Sequence, residues 1–150
     1  MADFGIVTTS TQYTMQPAEL GRWLEAHGFE SLWFGEHSHI LTSRESPYPG
    51  GELPYFAKDL FDPFIGLTAA AVAMTKLKLG TSVCLVSQHN AINLAKTVAS
   101  LDRVSNGRFL FGIGAGWNAE GMADLATRIR APRSGELSSD RAGWRDRHGY

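Results

Sequence analysis

Two residues with acid–base side chains, Glu36 and His37, stand directly after the apolar run SLWFG at residues 31–35. The run has the composition of a buried strand, so the pair is expected at the carboxyl end of that strand. A histidine in this position could act as a general acid or base near neutral pH. The alternative is a loop histidine that only caps backbone groups, and the residues alone favour it.

Metal chemistry is not expected from the histidines or the cysteine. His39 completes an E-H-x-H pattern, but no third ligand follows at a recognisable spacing. Cys84 is the single cysteine, so it can form neither an internal disulfide nor a cysteine-based metal site. His89 stands in a loop between a predicted strand and a predicted helix, where it could contact a substrate or simply be solvated.

A second candidate site is the turn GIGAG at residues 112–116, which follows the run RFLF. Dinucleotide-binding turns have the spacing G-x-G-x-x-G after the first strand of a βαβ unit. Here the third glycine comes one residue early, and the turn follows the fourth predicted strand, so we do not expect a nicotinamide site. Glycines let a flat ligand approach the backbone closely, and the ring of Trp117 beside them could lie against one side of such a ligand. Packing within the protein would explain both the glycines and the tryptophan equally well.

The elements that position these residues alternate along the chain. Apolar, β-rich runs predict strands at residues 4–8, 31–35, 77–86 and 108–113. Helical patterns begin at Pro17, Pro63 and Ala91, and Asp62 and Asn90 are the predicted N-caps of the second and third helices. This alternation predicts an α/β fold with parallel strands, either a doubly wound sheet or part of a (β/α)₈ barrel. In both architectures ligands lie at the carboxyl ends of the strands.

Composition narrows the class of protein. The formal net charge is −1, and 43% of the residues are hydrophobic. There is no basic run for nucleic acid, no apolar stretch of the roughly 18 residues that span a membrane, and no signal-peptide pattern. We expect a soluble cytoplasmic protein that acts on a small molecule and binds neither nucleic acid nor membrane.

Three stretches together resemble a known family. They are LAKTVASLDRVSNGRFLFGIGAGWN at 94–118, ESLWFGEHSHI at 30–40 and KLKLGTSVCLVSQHNAINLAK at 76–96. Taken in their order along the chain, these stretches resemble the luciferase-like monooxygenase superfamily, and most closely its branch of F420-dependent oxidoreductases. The resemblance covers residues 4 to about 124 and implies the N-terminal half of a (β/α)₈ barrel, a fold of roughly 250 residues.

The resemblance also implies an activity and a set of site residues. It implies hydride transfer with coenzyme F420 on a small organic substrate; the alternatives are an FMN-dependent monooxygenase and a non-catalytic truncated half barrel. His37 matches the histidine near the reactive ring, and Glu36 matches its acidic neighbour. The Ser82–Val83 pair matches a bulge that carries a non-proline cis peptide in relatives. The residues implied to line the cofactor are Ser82, Val83, Gly114, Ala115 and Gly116.

The last part of the chain departs from this pattern. Residues 125–150 contain few large apolar side chains and no sustained period, so we expect a loosely ordered tail after a domain at 1–124. About four of the eight barrel strands are recognisable, which predicts a fragment or a frameshifted product of a longer enzyme. A homodimer of half barrels would cover the open strand edge.

Overall fold

The computed structural model describes residues 3–40, 45–48 and 51–117, so the predicted tail lies outside the described residues. Strands and helices alternate along the described chain. The strands are β1 Gly5–Thr8, β2 Ser31–Phe34, β3 Lys78–Thr81, β4 Cys84–Leu85, β5 Phe109–Leu110 and β6 Ile113–Gly114. The helices are α1 Pro17–Ala26, α2 Pro63–Ala71 and α3 Ala91–Val104, with short 3₁₀ turns at Tyr55–Asp59 and Val86–Gln88.

All strand pairs of the described chain are parallel. One sheet has the order β1-β2-β3-β5, and β4 pairs with β6 in a separate two-stranded sheet. Parallel neighbours need a crossover connection, and α1, α2 and α3 supply it. The predicted α/β class with parallel strands and crossover helices is therefore confirmed.

The hydrophobic core lies between the helices and one face of the sheet. Leu32 and Phe34 of β2 and Leu79 of β3 are buried there against Leu67 of α2. Gly66 allows this packing, because a Cβ at that position would lie 3.1 Å from the Phe34 ring. On the opposite face of the sheet, Val7 and Leu110 are exposed, whereas Ser31 is buried.

Local capping signals place the helix ends. The Asp62 side chain accepts a hydrogen bond from the Ile65 amide at 3.0 Å, and Asn90 caps α3 through the amides of Ile92 and Asn93. These are the predicted N-caps, and both are confirmed. The longest described helix, α3, has 14 residues, and no described helix combines the length and apolar character needed to cross a membrane.

The third and fourth strands differ from the prediction of two continuous strands at 77–86 and 108–113. Each is divided into two short strands, and the pairing passes from β3 with β5 to β4 with β6. The junction is a close approach of two backbones: a Cβ on Gly112 would lie 2.1 Å from the Thr81 carbonyl oxygen. The Thr81 hydroxyl and the Cys84 amide both donate to the Gly112 carbonyl at 2.8 Å. This contact interrupts both strands at the same level.

Candidate functional site

The carboxyl ends of the strands surround a pocket of about 220 Å³. It lies where β2, β4 and β6 end, as expected for a ligand site in a parallel α/β fold. Of the seven residues to which the sequence assigned a role in the site, the pocket brings together six: Glu36, His37, Ser82, Val83, Ala115 and Gly116. The Ser82–Val83 peptide bond is cis, as the resemblance implies.

Gly114 is the one proposed site residue that does not line this pocket. A Cβ at Gly114 would lie 2.5 Å from Cγ2 of Val83, and Gly114 pairs with Leu85 across β6 and β4. Its lack of a side chain lets β6 lie close to Val83. Gly114 therefore contacts Val83, which lines the pocket, without lining the pocket itself.

His37 has a buried ring nitrogen in the pocket. Among the described residues its Nδ1 has no hydrogen-bond partner. The ring of Trp117 meets the His37 ring edge to face at a centroid distance of 6.5 Å, and Tyr48 packs against Trp117 at 5.3 Å. A buried polar atom without a partner costs free energy, so Nδ1 would gain a hydrogen bond if the His37 ring turned it towards a ligand in the pocket.

The long loop after β2 contributes to the pocket in part. The aromatic residues of this loop are Tyr48, Tyr55 and Phe56, and any that line the pocket are positioned to contact a substrate. Tyr48 lines the pocket, whereas Tyr55 and Phe56 do not, and Tyr55 is 78% exposed.

Glu36 is buried, with 7% of its surface exposed, and both of its carboxylate oxygens bond to protein groups. Oε2 accepts a hydrogen bond from the Leu85 amide at 2.7 Å. Oε1 lies 2.7 Å from Nε2 of His89. The sequence offered His89 only as a substrate contact or a solvated residue. No local spacing reveals the pair, because 53 positions separate its members.

Cys84 lies beside this pair and is fully buried. Burial raises the pKa of the Cys84 thiol to about 12, and the neighbouring Glu36 carboxylate adds to the effect. The thiol is therefore protonated at neutral pH. Glu36, Cys84 and His89 bring one potential ligand atom each to within 4.8 Å of one another, the one such group in the described part of the chain. The expectation that the protein binds no metal stays a prediction.

His39 lies away from that group. Its ring nitrogen Nδ1 lies 2.8 Å from the Ser38 hydroxyl, and Ser38 also bonds to Gln88. These contacts join the loop after β2 to the turn after β4. The E-H-x-H pattern thus does not converge on one point.

Comparison with known proteins identifies the family. The model of the family described as luciferase-like monooxygenase matches residues 3–133. The chain belongs to the luciferase-like monooxygenase family. The resemblance on which the site residues were assigned is therefore confirmed.

Proteins similar to this family member in sequence include enzymes and uncharacterised chains. An uncharacterised protein of Mycobacterium tuberculosis is 34% identical over 125 residues, which are 81% of this chain and 44% of that protein. The 4-hydroxyprotoasukamycin monooxygenase of Streptomyces nodosus subsp. asukaensis is 32% identical over 65% of this chain and 22% of its own length. The 5,10-methylenetetrahydromethanopterin reductase of Methanolobus tindarius is 27% identical over 77% and 29%, respectively. The chain spans less than half the length of these relatives.

Solved structures of similar fold include enzymes of both cofactor types. A type II Baeyer–Villiger monooxygenase of Pseudomonas putida in complex with FMN has a TM-score of 0.60 and 17% identity, over 82% of this chain and 32% of that chain. The coenzyme F420-dependent tetrahydromethanopterin reductase of Methanopyrus kandleri has a TM-score of 0.59 and 25% identity, over 83% and 30%. The predicted fold class, part of a (β/α)₈ barrel, is confirmed.

Proposed function

We propose that this chain forms one wall of the ring-binding site of an F420-dependent oxidoreductase, which transfers hydride to or from a small organic substrate. The observation that carries the proposal is the position of His37 in a pocket framed by Trp117 and the glycine turn, with a buried Nδ1 that has no partner among the described residues. The F420-dependent relative of known structure, at 25% identity, supports this cofactor over FMN.

The shape of the pocket suits the ring system of such a cofactor. Its wall at residues 115–116 is nearly bare backbone, and Gly116 has a φ of 83° that disfavours other residues. Gly116 also lies close to Leu85, since a Cβ there would be 3.0 Å from Cδ2 of Leu85. A flat ring can lie against this wall. The described lining residues include no lysine or arginine, so they offer no permanent positive charge to a phosphate.

The side chains would then have distinct tasks. Bound F420 would supply the hydride carrier. His37 would hold a proton at a ring nitrogen beside the reacting atoms, as a histidine can near neutral pH. Trp117 and Tyr48 would exclude water from one side of the ring.

Two other functions remain in competition. An FMN-dependent monooxygenase is supported by the monooxygenases among the relatives. A half barrel without catalytic activity is the other alternative. A cytoplasmic location and a homodimer stay predictions.

Titration of the purified chain with F420 and with FMN, followed by fluorescence, separates these functions. We expect micromolar binding of F420. Preferential binding of FMN would support the monooxygenase, and binding of neither would support the non-catalytic half barrel.

A His37→Ala variant tests the proposed proton donor once a substrate has been found. We expect turnover to fall by about 10²–10⁴-fold, the usual range for a lost acid–base group, with little change in cofactor affinity. Turnover equal to that of the unmodified chain would remove His37 from the chemistry.

A further inference from the structure

We propose that Glu36 and His89 form a positioning pair that fixes the backbone of Leu85, a wall of the pocket, and that neither residue transfers a proton to substrate. The proposal rests on the proposed function only where it concerns cofactor binding. It changes the role of Glu36, which family resemblance places among the catalytic residues.

Glu36 links β2 and β4, two strands that share no backbone pairing. Glu36 follows β2, which pairs only with β1 and β3 among the described strands, whereas β4 pairs with β6. The bond from the Leu85 amide to Oε2 of Glu36, at 2.7 Å, crosses this gap. A hydrogen bond to a carboxylate is stronger than one between neutral groups. It therefore ties the end of β4 to the end of β2.

His89 controls the orientation of the Glu36 carboxylate. His89 holds Oε1 at 2.7 Å, so the two oxygens of Glu36 are fixed from two directions. The His89 ring itself meets the buried ring of Phe64 edge to face, at a centroid distance of 6.2 Å. Phe64 belongs to α2 and to the hydrophobic core, so the pair is anchored to the core.

The pair of Glu36 and His89 affects the pocket through Leu85. Leu85 lines the pocket, and its Cδ2 lies against the backbone of Gly116. If the bond to Glu36 were lost, Leu85 could move, and the space between it and Gly116 would change. The pair thus acts on a ligand through Leu85.

The same contacts disfavour two other roles for these residues. Proton transfer to a substrate would need an accessible carboxylate, yet only 4% of the Glu36 side chain is exposed and both oxygens already contact protein groups. A metal ion held by Glu36, Cys84 and His89 would have to displace the contact between Glu36 and His89, because the same atoms would be its ligands.

The experiment uses Cys84 as a reporter, because it is the only cysteine in the chain. His89→Leu removes the donor to Glu36. His89→Gln keeps a nitrogen donor at the position of Nε2 and is the conservative rescue. His27→Gln is the matched control, since His27 is an exposed histidine on the C-terminal end of α1. Circular dichroism verifies that each variant is folded.

Two quantities are measured: the rate of Cys84 alkylation by iodoacetamide without cofactor, and the dissociation constants of F420 and FMN. For His89→Leu we expect alkylation to accelerate about tenfold and the affinity of the bound cofactor to fall about tenfold, the effect of one lost hydrogen bond to a charged group. His89→Gln should restore both to within about threefold, and His27→Gln should change neither.

The outcomes separate the pair from the proposed function. If the unmodified chain binds neither cofactor, the proposed function fails, while accelerated alkylation in His89→Leu still supports the pair. If F420 or FMN binds but His89→Leu alters neither quantity, the pair is wrong and the proposed function stands. Protection of Cys84 by Zn²⁺ that is lost in His89→Leu would replace the pair with a metal site.

Discussion

Arg108 is a half-buried cation whose hydrogen bonds go to backbone carbonyl groups and to the Met74 sulfur. Its guanidinium donates to the carbonyls of Ala71 and Leu77 at 2.8 Å and of Met74 at 3.2 Å, and Nε donates to Ser105 at 2.7 Å. These carbonyls lie at the ends of α2 and α3 and before β3. The helix α2 ends at Ala71, whose carbonyl accepts a hydrogen bond from Arg108 instead of continuing the helix.

An Arg108→Leu variant should therefore be strongly destabilised. It leaves several half-buried carbonyls without a partner, and we expect the free energy of unfolding to fall by about 3 kcal/mol. Arg108→Lys should recover only part of the loss, because an ammonium group cannot reach carbonyls in a planar fork. Urea denaturation measures this, with exposed Arg22→Leu as a control expected to stay within about 0.5 kcal/mol. Equal stability of Arg108→Lys and the parent would contradict the fork.

At the scale of elements, the junction between β3 and β4 depends on the absence of a side chain at Gly112. The position that its Cβ would take lies 2.1 Å from the Thr81 carbonyl oxygen, which belongs to the backbone and cannot turn aside. We expect Gly112→Ala to cost about 2–4 kcal/mol of unfolding free energy and to weaken cofactor binding, since β6 must shift.

The matched control for Gly112 is Gly107, which ends the connection after α3. Gly107 has a φ of 75° and no atom within 4 Å of its Cβ position, and an asparagine tolerates this conformation. Gly107→Asn should cost less than about 1 kcal/mol of unfolding free energy. Thermal melts of the two variants and the unmodified chain measure both losses. Similar losses in the two variants would show that the contact with Thr81 is not the cause.

The elements also show how far sequence reasoning extends. The bounds of α3 were predictable because its signals are local: Asn90 caps it, and Asn106 and Gly107 both have positive φ after its end. The division of the third and fourth strands was not, because the contact between Thr81 and Gly112 joins residues 31 positions apart. In the site, family resemblance brought His37 into view, but the bond between Glu36 and His89 depends on the folded arrangement.

In the described part of the chain, the contacts made by Arg108 and Glu25 lie at the opposite edge of the sheet from the pocket. Arg108 precedes β5, and the turn at 75–77, which Glu25 holds, precedes β3, so both stand at the amino-terminal edge. The pocket lies at the carboxyl edge. This division is typical of barrels, in which the amino-terminal side of the strands provides stability. Substitutions at the amino-terminal edge should therefore alter stability without changing cofactor affinity.

Glu25 links α1 to the turn before β3 and should make stability depend on pH. Its carboxylate accepts hydrogen bonds from the amides of Thr75, Lys76 and Leu77, at 2.6–3.1 Å. Burial alone would raise the pKa of Glu25, but these hydrogen bonds lower it from 4.5 to about 2. The unfolded chain therefore binds the proton more tightly than the folded one. The stabilisation is complete above pH 4.5 and is lost as the pH falls towards 2.

We expect the unmodified chain to lose about 1–2 kcal/mol from this group between pH 5 and pH 2, less than the full shift implies, because solvent screens a partly exposed carboxylate. Glu25→Gln should be less stable at pH 7, and the difference between the two should close towards pH 2. Urea denaturation at a series of pH values measures it, with Glu19→Gln on the exposed first turn of α1 as the control. A difference that stays constant over this range would mean that Glu25 stabilises the turn through packing. Packing does not depend on pH, whereas the hydrogen bonds to the carboxylate weaken when acid protonates it.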